Sequence, residues 1–183
     1  ERVVSLNAVV GETNDSRLND IRAGRPTVAE MAAAIAAAQP GPVTEGAVGA
    51  GTGCVAFGLK GGIGSASRRV GDWALGVLVQ ANHGRRPDFQ VLVDGVAPAL
   101  PQHDADGSIV IVLATDAPLD AGSLKRLATR AFGGLARTGA ALSHGSGDYA
   151  LAFTTARGVL DVPLSDLFEA AIEATEEAIL NAL

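Results

Sequence analysis

Nine of the chain's 23 glycines fall between residues 41 and 64, and this block restricts the possible folds more than any other feature. Glycine inside a strand usually marks a bulge or a close backbone approach. The block therefore reads as tightly packed strands or as backbone lying against a substrate. A phosphate-binding loop fails on spacing. Gly49-Ala50-Gly51-Thr52-Gly53-Cys54 lacks the third glycine of the dinucleotide fingerprint, and Lys60 is followed by Gly61 where a P-loop needs Ser or Thr.

Around this block the chain alternates in character. Gly, Asn, Asp and Arg over 11–26 read as a loop or short irregular helix. Thr27 and Glu30 form a capping-box pattern ahead of the run Met31 to Ala38, and Pro40-Gly41-Pro42 ends that helix. Strand-like stretches follow at Cys54–Leu59, Ile63–Val70, Trp73–Ala81 and Phe89–Val93. A turn is expected at Asp94-Gly95 and an exposed loop over Ala97–Asp106.

Ser108–Ala114 is continuously apolar, the pattern of a strand covered on both faces. Pro118–Gly139 has helical spacing through Leu124, Leu127, Ala128, Ala131, Phe132 and Leu135. Asp148–Thr154 reads as a further strand. Ser165 is placed to cap a last helix with Phe168, Ala171, Ile172, Thr175 and Ile179 on one face. Strands in blocks flanked by helices predict layered α+β packing rather than strict βαβ alternation.

Composition narrows the function classes. With 48% hydrophobic and 19% charged residues, the 183-residue chain has a real core to bury and reads as one domain over 1–183. A net charge of −6 argues against a nucleic-acid partner, which needs a basic field. No apolar run approaches the roughly 20 residues of a membrane span, so no membrane partner is expected. One cysteine, Cys54, rules out an intramolecular disulfide framework and a multi-cysteine zinc site. Neither a metal nor a cofactor is expected. The opening Glu1-Arg2-Val3-Val4 has no Met and no signal-peptide pattern, and reads as the start of a fragment or processed chain. The compartment is not legible there; cytoplasmic is preferred to periplasmic.

His83, His103 and His144 lie far apart in polar contexts and read as solvated loop residues. Cys54 reads as a small buried hydrophobe, and Glu169, Glu173, Glu176 and Glu177 as a solvated helix face. Gly107-Ser108 is different, because a polar loop runs directly into an apolar strand with a serine at the junction. An N-terminal nucleophile precursor needs this order. The hydroxyl attacks the preceding carbonyl, the peptide shifts to an ester, and hydrolysis frees a serine amine. A glycine before the serine leaves the attack unobstructed. As a dipeptide, Gly-Ser before a strand is common and most often an ordinary turn.

Several blocks, in order, resemble the DmpA-type L-aminopeptidase/D-esterase and β-peptidyl aminopeptidase family, the S58 peptidases. They are Gly11-Glu12-Thr13-Asn14-Asp15 with Leu18-Asn19-Asp20, and Val48–Gly53. Phe57–Arg68, Val77–Gly84, Gly107–Leu119 and Gly145–Asp148 complete the set. The resemblance implies an α/β/β/α sandwich of the DmpA and ornithine-acetyltransferase type, like that of the N-terminal nucleophile hydrolases. It implies self-cleavage between Gly107 and Ser108 into 1–107 and 108–183, which stay associated. Ser108 then matches the nucleophile, Asn82 an oxyanion donor, and Ser146 and Asp148 the groups that support the nucleophile. Glu12 matches the carboxylate that receives a substrate's ammonium group.

Family members often carry an aromatic residue near position 14, where this chain has Asn14, so the substrate pocket is expected to differ in shape. The resemblance also implies a substantial segment ahead of Glu12, a domain incomplete at its N-terminus, and a tetramer of processed pairs. The expected substrate is a small peptide, amino-acid amide or ester with a free amine. Two alternatives stand beside this reading. An ornithine-acetyltransferase-like acyltransferase would use a threonine nucleophile, against Ser108, and a non-catalytic remnant is opposed by the retained Ser108, Asn82, Ser146 and Asp148.

Overall fold

The computed structural model describes residues 3–5, 8–89 and 107–183. Its helices are α1 (Val28–Ala37), α2 (Ala121–Arg137) and α3 (Ser165–Asn181). Its strands are β1 (Val55–Ala56), β2 (Leu59–Lys60), β3 (Gly62–Val70), β4 (Trp73–Asn82), β5 (Ser108–Thr115) and β6 (Gly147–Thr154). The architecture is α+β, as expected. Strands β3-β4-β5-β6 form a mixed sheet in that order, antiparallel except for the β5–β6 pair. That parallel pair is joined through α2, so one βαβ crossover sits inside an otherwise antiparallel sheet.

The two-residue period of the strands divides the sheet into unlike faces. Leu75, Val77, Val79 and Ala81 of β4 pair with Thr115, Leu113, Ile111 and Ile109 of β5, and all eight are buried. Over this face lie α3, against β3 and β4, and α2, against β6. The opposite face carries Leu78, Gln80 and Asn82 paired with Val112, Val110 and Ser108. On β6 the matching residues Tyr149, Leu151 and Phe153 are exposed. Among the described residues, β5 is thus packed on one face and only half-covered on the other, not covered on both.

Helix α3 approaches the sheet closely because both surfaces are small. Ala170, Ala171, Ala174 and Ala178 face inward with Leu167, Thr175 and Ile179. A methyl group at Gly64 would overlap the Ala178 carbonyl oxygen, and one at Gly134 of α2 would overlap that of Ile172. Of the expected face, Ala171, Thr175 and Ile179 are buried, while Phe168 and Ile172 are not. These two sit at its margin, with the guanidinium groups of Arg126 and Arg130 over the Phe168 ring at 5.1 and 4.3 Å. Ser165 is not the cap either. It is the first helical residue, and Leu164 precedes it with no side-chain cap bond. Helix α2 starts at Ala121 rather than Pro118 because Asp120 caps it, accepting from Ser123 N at 2.6 Å.

The Thr27–Glu30 capping box is present at the start of α1. The predicted strand over 54–59 is instead a tight hairpin, β1–β2. Phe57 and Gly58 both have positive φ, 51° and 73°, as a two-residue primed turn requires. Phe57 tolerates this because its ring is fully buried, stacked on Phe89 and edge-on to His83. The Phe89–Val93 strand beyond Phe89, the Asp94-Gly95 turn, the Ala97–Asp106 loop and His103 lie outside the described residues.

Candidate active site

Three strand ends meet in one row. Asn82 closes β4, Ser108 opens β5 and Gly147 opens β6; Ser108 is paired with Asn82 on one side and Gly147 on the other. Backbone pairing alone therefore brings together residues 82, 108 and 147. Ser108 and Asn82 are both nearly buried, on the face away from the helices.

The 11–15 segment covers this end of the sheet. A side chain at Gly11 would strike Val110, which shows how closely the segment lies on β5. Two residues after Glu12, the Asn14 main chain engages both strand ends. Its N–H donates to Ser108 Oγ at 3.1 Å, and its carbonyl accepts from Asn82 Nδ2 at 2.9 Å. The Asn82 carboxamide is held from behind, since Oδ1 accepts from Val55 N at 2.9 Å. A backbone N–H can only donate, so this bond fixes which end of the carboxamide carries the hydrogens. One Nδ2 hydrogen remains for another acceptor.

On the β6 side, Gly147 N donates to the Gly107 carbonyl at 3.0 Å. Ser146 Oγ donates to Asp148 Oδ1 at 2.8 Å. A cavity of about 120 Å³ opens here, lined by Gly107, Ser146, Asp148 and His83 among others. Gly107 is wedged against the neighbouring strand, where a methyl group would overlap His83 Cα and the Asn82 carbonyl. Glycine at 107 is thus demanded by packing.

The structure places Ser108, Asn82, Gly107 and the Asn14 backbone in direct contact or in register. It pairs Ser146 with Asp148 beside them, and leaves Glu12 exposed at the edge of the covering segment. The Asn14 side chain turns away, its Oδ1 accepting from Ser16 N at 3.2 Å. His144 is exposed, as expected for a loop residue. His83 corrects its expectation. It is only 3% exposed, and neither ring nitrogen has a hydrogen-bond partner among the described residues. Burial against Phe57 pushes its pKa down to about 4.

Sequence reasoning missed the layer beneath the site. Gln80 Nε2 donates to Thr13 Oγ1 at 2.8 Å and to the Ala50 carbonyl at 2.9 Å, tying the covering segment to the glycine block. Gln80 lies two residues before Asn82 on the same strand face, a periodicity that would have flagged it. Cys54 is buried beside this pair, 3.7 Å from Thr13 Oγ1.

Known proteins place this geometry in a family. The description "Peptidase family S58" matches residues 1–183. The chain is 41% identical over 218 aligned positions to the beta-peptidyl aminopeptidase BapA of Sphingosinicella microcystinivorans, covering 96% of this chain and 54% of that one. It superposes on a Burkholderia sp. beta-aminopeptidase with a TM-score of 0.83 at 43% identity, over 92% of this chain and 54% of the other. The L-aminopeptidase D-Ala-esterase/amidase of Ochrobactrum anthropi, described as a variant of the Ntn hydrolase fold, gives 0.79 at 40% identity, covering 92% and 52%. The chain spans about half the length of these relatives. Taken with its mixed sheet and the row of strand ends at Asn82, Ser108 and Gly147, the match shows that this chain belongs to peptidase family S58.

Proposed function

We propose that this chain carries the catalytic centre of a self-processing serine aminopeptidase that removes the N-terminal residue from small peptides, amino-acid amides or esters. The observation that carries the reading is the contact of Ser108 Oγ with the Asn14 N–H, beside the Asn82 carboxamide. A serine oxygen that accepts from a backbone N–H, with a carboxamide donor on the adjoining strand end, resembles a nucleophile next to an oxyanion site.

In the first reaction the Ser108 hydroxyl adds to the Gly107 carbonyl carbon, the C–N bond breaks, and the acyl group passes to Oγ. Water then hydrolyses the ester, leaving a Gly107 carboxylate and a free Ser108 amine. The Gly147 N–H already holds the oxygen that becomes negative in this step. The cavity beside Gly107 gives the new terminus room to leave.

In the second reaction the new α-amine has a reference pKa of about 7.7–8.0, so a useful fraction is neutral near pH 7. It takes the hydroxyl proton, directly or through Ser146, whose orientation Asp148 fixes. Oγ then attacks the substrate carbonyl, whose oxygen is received by Asn82 Nδ2 and the Asn14 N–H. The leaving amine departs protonated, and water releases the acyl group. Glu12 stands near enough in sequence to Asn14 to take the substrate's ammonium group, which accounts for a requirement for a free N-terminus. Assembly of processed pairs into a tetramer belongs to the same reading and is tested by light scattering.

Denaturing mass measurement tests the first reaction. Cleavage yields a 107-residue piece and a 76-residue piece beginning Ser-Ile-Val-Ile. An intact mass in aged wild-type protein would overturn the self-processing reading. Ser108→Ala should stay uncut and inactive on an amino-acid p-nitroanilide, and residual turnover would remove Ser108 from its role.

A further inference from the structure

Lys60 is not used by the chemistry above, yet its ammonium group is built into the backbone directly behind Asn82. Its Nζ donates to three main-chain carbonyls, those of Gly51 at 3.0 Å, Cys54 at 2.8 Å and Gly61 at 2.7 Å. An ammonium has three hydrogens, and these carbonyls account for all three, with no carboxylate partner among the described residues. A surface lysine with no other task would point into water or toward an acid.

The Cys54 carbonyl is the important one. It belongs to the same planar peptide unit as the Val55 N–H, and that N–H donates to Asn82 Oδ1. The chain of contacts therefore runs without a break. It goes from the Lys60 ammonium to Cys54 C=O, through the peptide to Val55 N–H, on to Asn82 Oδ1, and through the carboxamide to Nδ2–H. A positive charge on the oxygen of an amide makes its N–H a stronger donor, and successive amides in one chain polarise each other in the same sense. The same three bonds also fix the 51–54 turn and the β1–β2 hairpin, which set where Val55 N stands.

We infer that Lys60 is a positioning residue for the oxyanion site, orienting and polarising the Asn82 donor through the Cys54–Val55 peptide. This rests on the proposed role of Asn82. Lysine suits the place because its point-like ammonium can satisfy three converging carbonyls; the planar guanidinium of arginine presents its donors in a diverging fork.

The test uses the full chain with Lys60→Met, which keeps an apolar stem, and Lys60→Ala, which leaves room for an added amine. In Lys60→Met, kcat on an amino-acid p-nitroanilide should fall about tenfold, with KM changed less than twofold. That is less than the roughly 100- to 1,000-fold loss from deleting an oxyanion donor outright. In Lys60→Ala, propylammonium chloride should restore part of kcat, whereas tetramethylammonium chloride, with no N–H, should not. Unchanged kcat, or restoration by both salts alike, would overturn the inference.

A readout independent of turnover separates this from the proposed activity. The side-chain amide resonances of Asn82, in asparagine-labelled protein, should shift in Lys60→Met and return toward wild type in Lys60→Ala with propylammonium. If they do so in a protein that hydrolyses nothing, the aminopeptidase reading falls and the Lys60 linkage stands. If they do not move, the linkage falls.

Discussion

The Asn14 main-chain N–H and Ser108 Oγ, 94 residues apart in sequence, are 3.1 Å apart in the structure. The contact matters because it is made by the backbone. The Asn14 side chain is occupied elsewhere, closing a local turn onto Ser16 N. An unusual residue at position 14 can therefore alter the shape of the site's rim while the donor at the serine is retained.

Substitutions at 14 should accordingly split by whether they keep the N–H. Asn14→Ala should leave kcat within about threefold of wild type. Asn14→Pro, which has no N–H, should lower it by about 100-fold, in the range for a lost oxyanion donor. Steady-state kinetics on processed protein decide the point. Equal losses in the two variants would mean that the side chain, not the backbone, makes the functional contact.

The parts of this fold that were legible in the sequence are those governed by local pattern. Strand-like stretches bounded by turns located β3, β4 and β6, helical spacing located α2, and Thr27 with Glu30 marked the start of α1. The misread parts depend on tertiary neighbours. Helical spacing puts Phe168 and Ile172 on one face of α3 with Ala171, Thr175 and Ile179, because large apolar residues ordinarily face inward. The buried face keeps Ala171, Thr175 and Ile179 but continues through Leu167, Ala170, Ala174 and Ala178, with Gly64 and Gly134 letting the helix come close at its alanines. The Phe57-Gly58 turn was missed because a phenylalanine with positive φ carries no local signal; its buried ring holds it there. Ser108, Asn82, Ser146 and Asp148 were recognisable by resemblance. The contacts of the Asn14 backbone and of Lys60 were not, since no residue type announces them, and Gln80 was legible only through its two-residue spacing from Asn82.

Gly64 is the sharpest test of that close helix packing. A methyl group there meets the Ala178 carbonyl and the Ala182 main chain, and backbone cannot step aside as a side-chain tip can. Gly64→Ala should destabilise by about 1–3 kcal/mol, lowering Tm by roughly 3–10 °C for a chain of this size. Gly122→Ala in the first turn of α2 finds only ordinary contact with Asp120 and should hold or raise Tm. Calorimetry on both variants would expose the argument as wrong if they behaved alike.

A parallel contrast applies at the proposed cleavage point. Gly107→Ala forces the end of β4 away from Ser108, because the added methyl overlaps His83 Cα and the Asn82 carbonyl. Its self-cleavage should slow by about tenfold or more, an amount set by the roughly 1.4 kcal/mol per decade of rate and the cost of overpacking. Gly147→Ala meets Ser108 Cβ at an ordinary 3.5 Å and keeps the N–H on the Gly107 carbonyl, so it should be processed near the wild-type rate. Timed denaturing mass spectra measure both. Equal rates would show that Gly107 is not held by this packing.

His83 provides an acid-sensitivity prediction whose sign follows from its burial. Its folded pKa is lowered from 6.5 to about 4 because the charged ring would sit desolvated, with no partner for either nitrogen among the described residues. Between those two values the unfolded chain binds a proton at this residue and the folded chain does not. Stability must then fall as pH drops from about 6.5 toward 4, by about 1.4 kcal/mol per unit from this group. Above 6.5 both states are neutral and the contribution is complete; below 4 both are charged and no further loss accrues. His83→Phe keeps a ring against Phe57 and removes the titrating nitrogens. Urea midpoints measured from pH 7.5 to 4.5 should fall less steeply in this variant than in wild type, the gap widening to about 3 kcal/mol near pH 4.5. Parallel curves would mean that His83 finds a proton acceptor in the folded chain and that its burial is not what the acid slope reports.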